Sequence, residues 1–116
     1  MIADFGCVVE RIVDADTIIC SGTALRIGAI NARERDGSCR TGAVCPVMPP
    51  AQAKAIATKL LHRQTLRCEP VGKSWERVVA RCTLPSGQDV GCALVASGAA
   101  AWEPVWARRY KLEACQ

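Results

Sequence analysis

The chain has 116 residues, half of them hydrophobic and 22% charged, a composition that fits one compact domain and excludes a disordered or low-complexity chain. No apolar run approaches the roughly 20 residues that span a bilayer, and Met1 to Gly6 lack the basic start and apolar stretch of a signal peptide, so a soluble mature form is expected. Fifteen Lys and Arg against eleven Asp and Glu give a formal charge of +4, a mild bias towards anionic partners.

In chain order, Cys7-Val8-Val9 and Ile12-Val13 precede Asp14-Ala15-Asp16, and Thr17-Ile18-Ile19-Cys20 follows, which predicts a β-hairpin about an acidic turn. Alternation from Leu25 to Ile30 predicts a third strand with Leu25, Ile27 and Ala29 on one face and Arg26 outward. Residues 31–50 hold Gly37, Gly42, Pro46, Pro49 and Pro50 with little periodicity, a long connection of the kind that often carries function. From Ala51 the apolar spacing of Ala53, Ile56, Ala57, Leu60 and Leu61 predicts a helix, with Lys54 and an exposed His62 on its polar side. Thr65 to Pro70 and Val78 to Leu84 predict two strands joined through Gly72-Lys73-Ser74. Asp89 caps a short helix that stops at Gly98, and Pro104 opens a last one through Leu112. The order predicts a mainly β domain over residues 1–116: a five-stranded oligonucleotide/oligosaccharide-binding (OB) barrel with a helix between strands three and four and one or two C-terminal helices.

Eight cysteines in so short a chain point to an oxidising compartment and disulfides. Zinc is the rival, but its sites usually contain closer ligand pairs than Cys39 and Cys45. Full pairing allows about 105 connectivities. Two pairs are arguable: Cys39 with Cys45, clipping the long loop, and Cys68 with Cys82, flanking the later hairpin. Cys20 and Cys92 lie in apolar runs and read equally as buried free thiols.

Three segments supply chemistry: Asp14-Ala15-Asp16-Thr17, Arg26 to Glu34, and Trp75-Glu76-Arg77. Carboxylate oxygens at a turn suit a hard cation such as calcium. Arginines offer paired donors to a phosphate at any working pH, and a glutamate near the metal orients or deprotonates water. Together they make the equipment of metal-assisted phosphodiester hydrolysis.

From Cys7 to Tyr110 the chain resembles the staphylococcal nuclease (thermonuclease) family. The resemblance rests on Asp14-Ala15-Asp16-Thr17 as the acidic turn, Arg26-Ile27-Gly28-Ala29-Ile30-Asn31-Ala32-Arg33-Glu34 as the arginine strand and its exit, Trp75 to Cys82 as the second arginine segment, and Gly98-Ala99-Ala100 as the small-residue motif. It implies a calcium-dependent nuclease on an OB barrel, cutting DNA and RNA to leave 3′-phosphates. It also implies roles: Arg26 and Arg77 on the scissile phosphate, Glu34 on the attacking water, Asp16, Asn31 and the Ala32 carbonyl on Ca2+, and Trp75 and Trp106 at the nucleotide. The chain departs from the family at Asn31, where an aspartate is usual and calcium binding should weaken, at Ala15 and Glu76, where turn glycines are usual, and at Arg33, where a proline is usual and positive charge should reach Glu34.

The expected protein is therefore a secreted or periplasmic monomer acting on DNA or RNA. The alternatives are a catalytically silent barrel that binds nucleic acid or protein through a degraded metal site, and a disulfide-stabilised envelope protein unrelated to nucleic acid. Exchange of Arg26 or Arg77 is expected to slow turnover with a modest effect on folding.

Overall fold

The computed structural model describes residues 3–39, 42–75, 77–113 and 115. The first β-branched run forms β1 (Phe5–Asp14), whose Cys7, Val9 and Ile12 face inward, and it turns through Ala15 and Asp16 into β2 (Thr17–Cys20). Ala15 is absent from the residues with positive φ, so this turn makes no demand for glycine. Next come β3 (Thr23–Ile27), β4 (Ile30–Asn31), α1 (Pro50–Leu61), β5 (Thr65–Ser74), β6 (Arg77–Thr83), α2 (Val90–Ser97), β7 (Ala101–Trp102) and α3 (Pro104–Tyr110).

Five strands close into a barrel in the order β1-β2-β3-β6-β5, with β5 pairing back onto β1. The β3–β6 pair is parallel and the other barrel pairs are antiparallel. The interior is aliphatic: Ile18, Leu25, Ile27 and Leu66 meet Leu61 from α1 and Leu94 from α2. Asp89 caps α2 by accepting the Cys92 N–H at 2.9 Å, and Gly98 ends it in the left-handed region at φ 84°. Among the described residues no helix is long and apolar enough to cross a membrane.

Three boundaries differ from the sequence reading. The third strand stops at Ile27, because Ala29 turns the chain with φ 66°, and the next two residues pair with β7 in a separate small sheet. The β5–β6 turn sits at Trp75, φ 57°, rather than at Gly72-Lys73-Ser74. There β5 continues through a register shift between Pro70 and Gly72, which accommodates a proline that has no ladder N–H to give. The last helix ends at Tyr110, where Lys111 adopts φ 56°.

The disulfides join consecutive cysteines: Cys7–Cys20, Cys39–Cys45, Cys68–Cys82 and Cys92–Cys115. Cys20 and Cys92 are thus bonded rather than free thiols, and no cysteine is left to ligate zinc. The first pair ties β1 to β2 and the third ties β5 to β6, each across a barrel seam, while the fourth ties α2 to the tail after α3.

Candidate functional site

Strand register builds the site. Thr17 lies opposite Arg26, and Arg26 lies opposite Val79 in the parallel pair. Cross-strand partners share a face, and Arg77 shares the face of Val79 two residues later. Thr17, Arg26 and Arg77 therefore stand on the outer face of β2, β3 and β6.

At Arg26 that face is not open to water. Helix α3 lies over it, with the Trp106 ring centroid 4.8 Å from the Arg26 guanidinium carbon, a cation–π arrangement. Arg26 does point outward from the barrel, as its alternation predicts, but it is only 6% exposed because the helix covers it. Two close approaches seat this cover. The Tyr110 ring lies where a Cβ on Gly72 would be, and the Leu112 side chain comes within 2.9 Å of where a Cβ on Gly28 would stand. A cleft of about 40 Å³ remains between barrel and helix, lined in part by Arg26, Ser74, Trp106 and Arg109.

Under the cover, Arg26 Nη1 meets Asp16 Oδ2 at 2.7 Å, and Nη2 donates to the Ile30 carbonyl at 3.1 Å. The same Asp16 oxygen accepts the Ala32 N–H at 3.0 Å, while Oδ1 accepts the Thr17 hydroxyl at 3.0 Å. Arg77 Nη1 donates to the Thr17 hydroxyl at a long 3.4 Å, and among the described residues no carboxylate lies within ion-pair distance of it. Asp14 ends β1 beside this group. Burial, and then the neighbouring Asp16, raise its carboxyl pKa above the usual 3.8, against the opposing pull of Arg35, Lys54 and Arg77.

The loop after β4 is pinned from several sides. Asn31, buried, donates Nδ2 to the Val44 carbonyl at 3.0 Å. Arg33 donates Nε to the Pro46 carbonyl at 2.8 Å and Nη1 to the Gly37 carbonyl at 2.6 Å. The side chain expected to bring charge to Glu34 is thus a brace across the loop. Glu34 is exposed, on a tight turn in which its N–H donates to Ser38 O and its carbonyl accepts from Gly37.

No protein-family model matches this chain, and no curated protein matches it either.

The geometry brings Asp16, Arg26, Ala32, Arg77 and Trp106 together, with Asn31 adjoining them at the loop. Trp75 stands apart, 87% exposed at its hairpin tip, and Glu76 lies outside the described residues. His62 is exposed at the end of α1. One buried polar residue escaped the sequence reading altogether: Glu103, 3% exposed, accepts the Val44 N–H at 2.8 Å and the Val105 N–H at 3.1 Å. Glutamate is not a favoured N-cap, so its pattern carried no signal. A further cleft of about 580 Å³ lies between Glu69, Arg81 and the C-terminal tail and is lined by none of these residues.

Among the described residues no group of three or more His, Cys, Asp or Glu side chains is disposed to hold a metal. The oxygen donors that remain are the Asp16 carboxylate, with one acceptor position left on Oδ1, the Asn31 amide oxygen and the Ala32 carbonyl. These are hard donors of the type calcium takes, so the set fits such an ion chemically but weakly. It offers one formal negative charge, and Arg26 already neutralises it at 2.7 Å.

Proposed function

We propose that the chain is a phosphodiesterase acting on DNA or RNA, built on a barrel of the OB type and exported to an oxidising compartment. The single observation that carries this reading is the convergence of two guanidinium groups, Arg26 from β3 and Arg77 from β6, on the consecutive residues Asp16 and Thr17. Two such groups at one point suit a phosphate whose negative charge grows during reaction. The four disulfides support the secreted or periplasmic location, and the chain acts as a monomer.

In this reading Arg77, the less committed of the two, takes the phosphate oxygens, and Arg26 adds charge from beneath while remaining fixed by Asp16 and Trp106. Glu34 orients or deprotonates the attacking water from the loop. The products are 3′-phosphates, as the resemblance implies. Trp106 presents an aromatic face beside the phosphate site and the exposed Trp75 a second one, both suited to stacking on bases. Asp16, Asn31 and the Ala32 carbonyl would hold Ca2+, with Asp14, which feels the Asp16 charge, as a further carboxylate at hand. When bound, the ion supplies Lewis-acid stabilisation of phosphate charge.

A second reading, a barrel that binds nucleic acid without cleaving it, is favoured by the same Asp16–Arg26 contact, since a cation must compete with Arg26 for its only charged ligand. One assay separates them: single-stranded DNA and plasmid incubated with protein in calcium or chelator, with product ends identified. Cleavage by wild-type protein is expected, and Arg77→Ala should lower the rate about 100-fold or more, as for one lost transition-state donor. Its melting temperature should barely move, because it gives up one long hydrogen bond. Arg26→Ala should also lose turnover, but it strands a buried carboxylate and should destabilise the fold by about 3 kcal/mol, so the modest folding effect expected from sequence applies to Arg77 alone. Wild-type turnover in Arg77→Ala would end the phosphodiesterase reading, and tight DNA binding with no cleavage in either buffer would favour the binding module.

A further inference from the structure

Five polar side chains are buried among the described residues: Asp16, Thr17, Arg26, Asn31 and Glu103. The first four belong to the site above. Among the described residues, no side-chain hydrogen bond joins Glu103 to them, and no cation lies within ion-pair distance of it. A buried carboxylate without a cation is costly unless its oxygens are hydrogen-bonded. Here both oxygens are engaged by main-chain N–H groups from two different elements, Val44 in the loop and Val105 in the first turn of α3. Its own N–H donates to the Ala29 carbonyl at 2.7 Å, in the turn between β3 and β4.

Each contact leads back to the site. Val44 is held on its other side by Asn31, whose Nδ2 donates to the Val44 carbonyl. Val105 adjoins Trp106, which lies on Arg26. Ala29 lies between Arg26 and Asn31 in the chain. One carboxylate therefore joins the loop that carries Glu34 and is hydrogen-bonded to Asn31 to the helix that carries Trp106. A helix cap alone does not need this arrangement, because an exposed serine or aspartate caps as well without burial.

We infer that Glu103 is the positioning residue of the site, fastening the loop after β4 to α3 so that Asn31 and Trp106 are held in fixed relation to the Arg26–Asp16 pair. The catalytic consequence rests on the phosphodiesterase reading; the positioning itself does not.

The test uses Glu103→Asp, because aspartate is a favoured N-cap and keeps the Val105 contact but is one carbon too short to reach Val44 as well. In ¹⁵N-labelled protein the Val44 amide should lose its protection from hydrogen exchange. The Trp106 indole N–H and Asn31 side-chain amide resonances should shift, while the barrel amides stay in place. Glu103→Gln, equal in length but with an acceptor for only one of the two N–H groups, should shift the same two resonances. With cleavage as a separate readout, Glu103→Asp should lower kcat about tenfold or more with a smaller change in KM, as expected when reacting groups are slightly misplaced. Unmoved Trp106 and Asn31 resonances in both variants would reduce Glu103 to a helix cap and overturn the proposal. So would loss of the fold in both, since a positioning residue must be dispensable to the barrel. If the wild-type protein fails to cleave, the phosphodiesterase reading falls and the resonances alone decide the role of Glu103.

Discussion

At position 31 the amide has two roles to reconcile that an aspartate would set against each other. Its Nδ2 is a donor to the Val44 carbonyl, and in the proposed function its oxygen would be a neutral stand-in for a charged calcium ligand. Asn31→Asp removes the donor and points a carboxylate at a carbonyl, a loss of about 1–3 kcal/mol for an unmet buried group. The same change restores the charge that calcium prefers. In chelator the variant should therefore melt below wild type, and added calcium should recover the loss and bind more tightly than to wild type. Thermal melts over a calcium titration decide it. A variant indifferent to calcium would remove Asp16, Asn31 and Ala32 from consideration as ligands together. Asp14 gives a second residue-scale prediction. Its raised pKa means that the folded state holds the proton more firmly than the unfolded chain, so ionising it lowers stability. That loss is absent below the ordinary value of 3.8 and complete above the raised one. Asp14→Asn should be the more stable protein at neutral pH, with the gap closing as pH falls towards 3.8, in denaturant midpoints measured across a pH series. A gap that persists at low pH would assign the effect to something other than this titration.

Among the elements, the loop between β4 and α1 has the least regular structure and the most bracing. Arg33 crosses it, Asn31 and Glu103 hold Val44, and Cys39–Cys45 closes its turn. With a sequence separation of 6, against 23 for Cys92–Cys115, the loop bridge should contribute the least to global stability, about 2 kcal/mol against about 3 in the chain-entropy account. The double variant Cys39→Ser/Cys45→Ser should therefore lose less melting temperature than Cys92→Ser/Cys115→Ser and, in the phosphodiesterase reading, lose more turnover than its stability predicts. The reverse ranking would show that the loop bridge is structural. The sequence carried part of the logic of these elements. The pairing of Cys39 with Cys45 in the loop and the capping of α2 by Asp89 were legible, because each is decided by residues a few positions apart. The β4–β7 pair was not, since two-residue strands carry no period. The brace formed by Arg33 was not either, because both carbonyls it reaches belong to main chain whose path depends on the finished loop.

For the whole molecule, the succession of five barrel strands along the chain was legible from alternation and turn residues, while their closure with β3 parallel to β6 was not, since that pairing joins segments far apart in sequence. The covering of Arg26 was not legible. It depends on α3 docking through contacts at Gly28 and Gly72, far from Trp106 in sequence. Connectivity was legible only in part, because burial of Cys20 and Cys92 fits a thiol as well as a disulfide. Alkylation of denatured, unreduced protein should label none of the eight cysteines, and eight labels should appear after reduction; labelling before reduction would contradict the bonded state of all four pairs. Their order has a further consequence. Each bridge joins a cysteine to the next one along the chain, at separations of 13, 6, 14 and 23. In a chain that enters an oxidising compartment N-terminus first, the second partner of every pair emerges before the first partner of the next, so simple first-come oxidation produces the native pattern and leaves a disulfide isomerase little to correct.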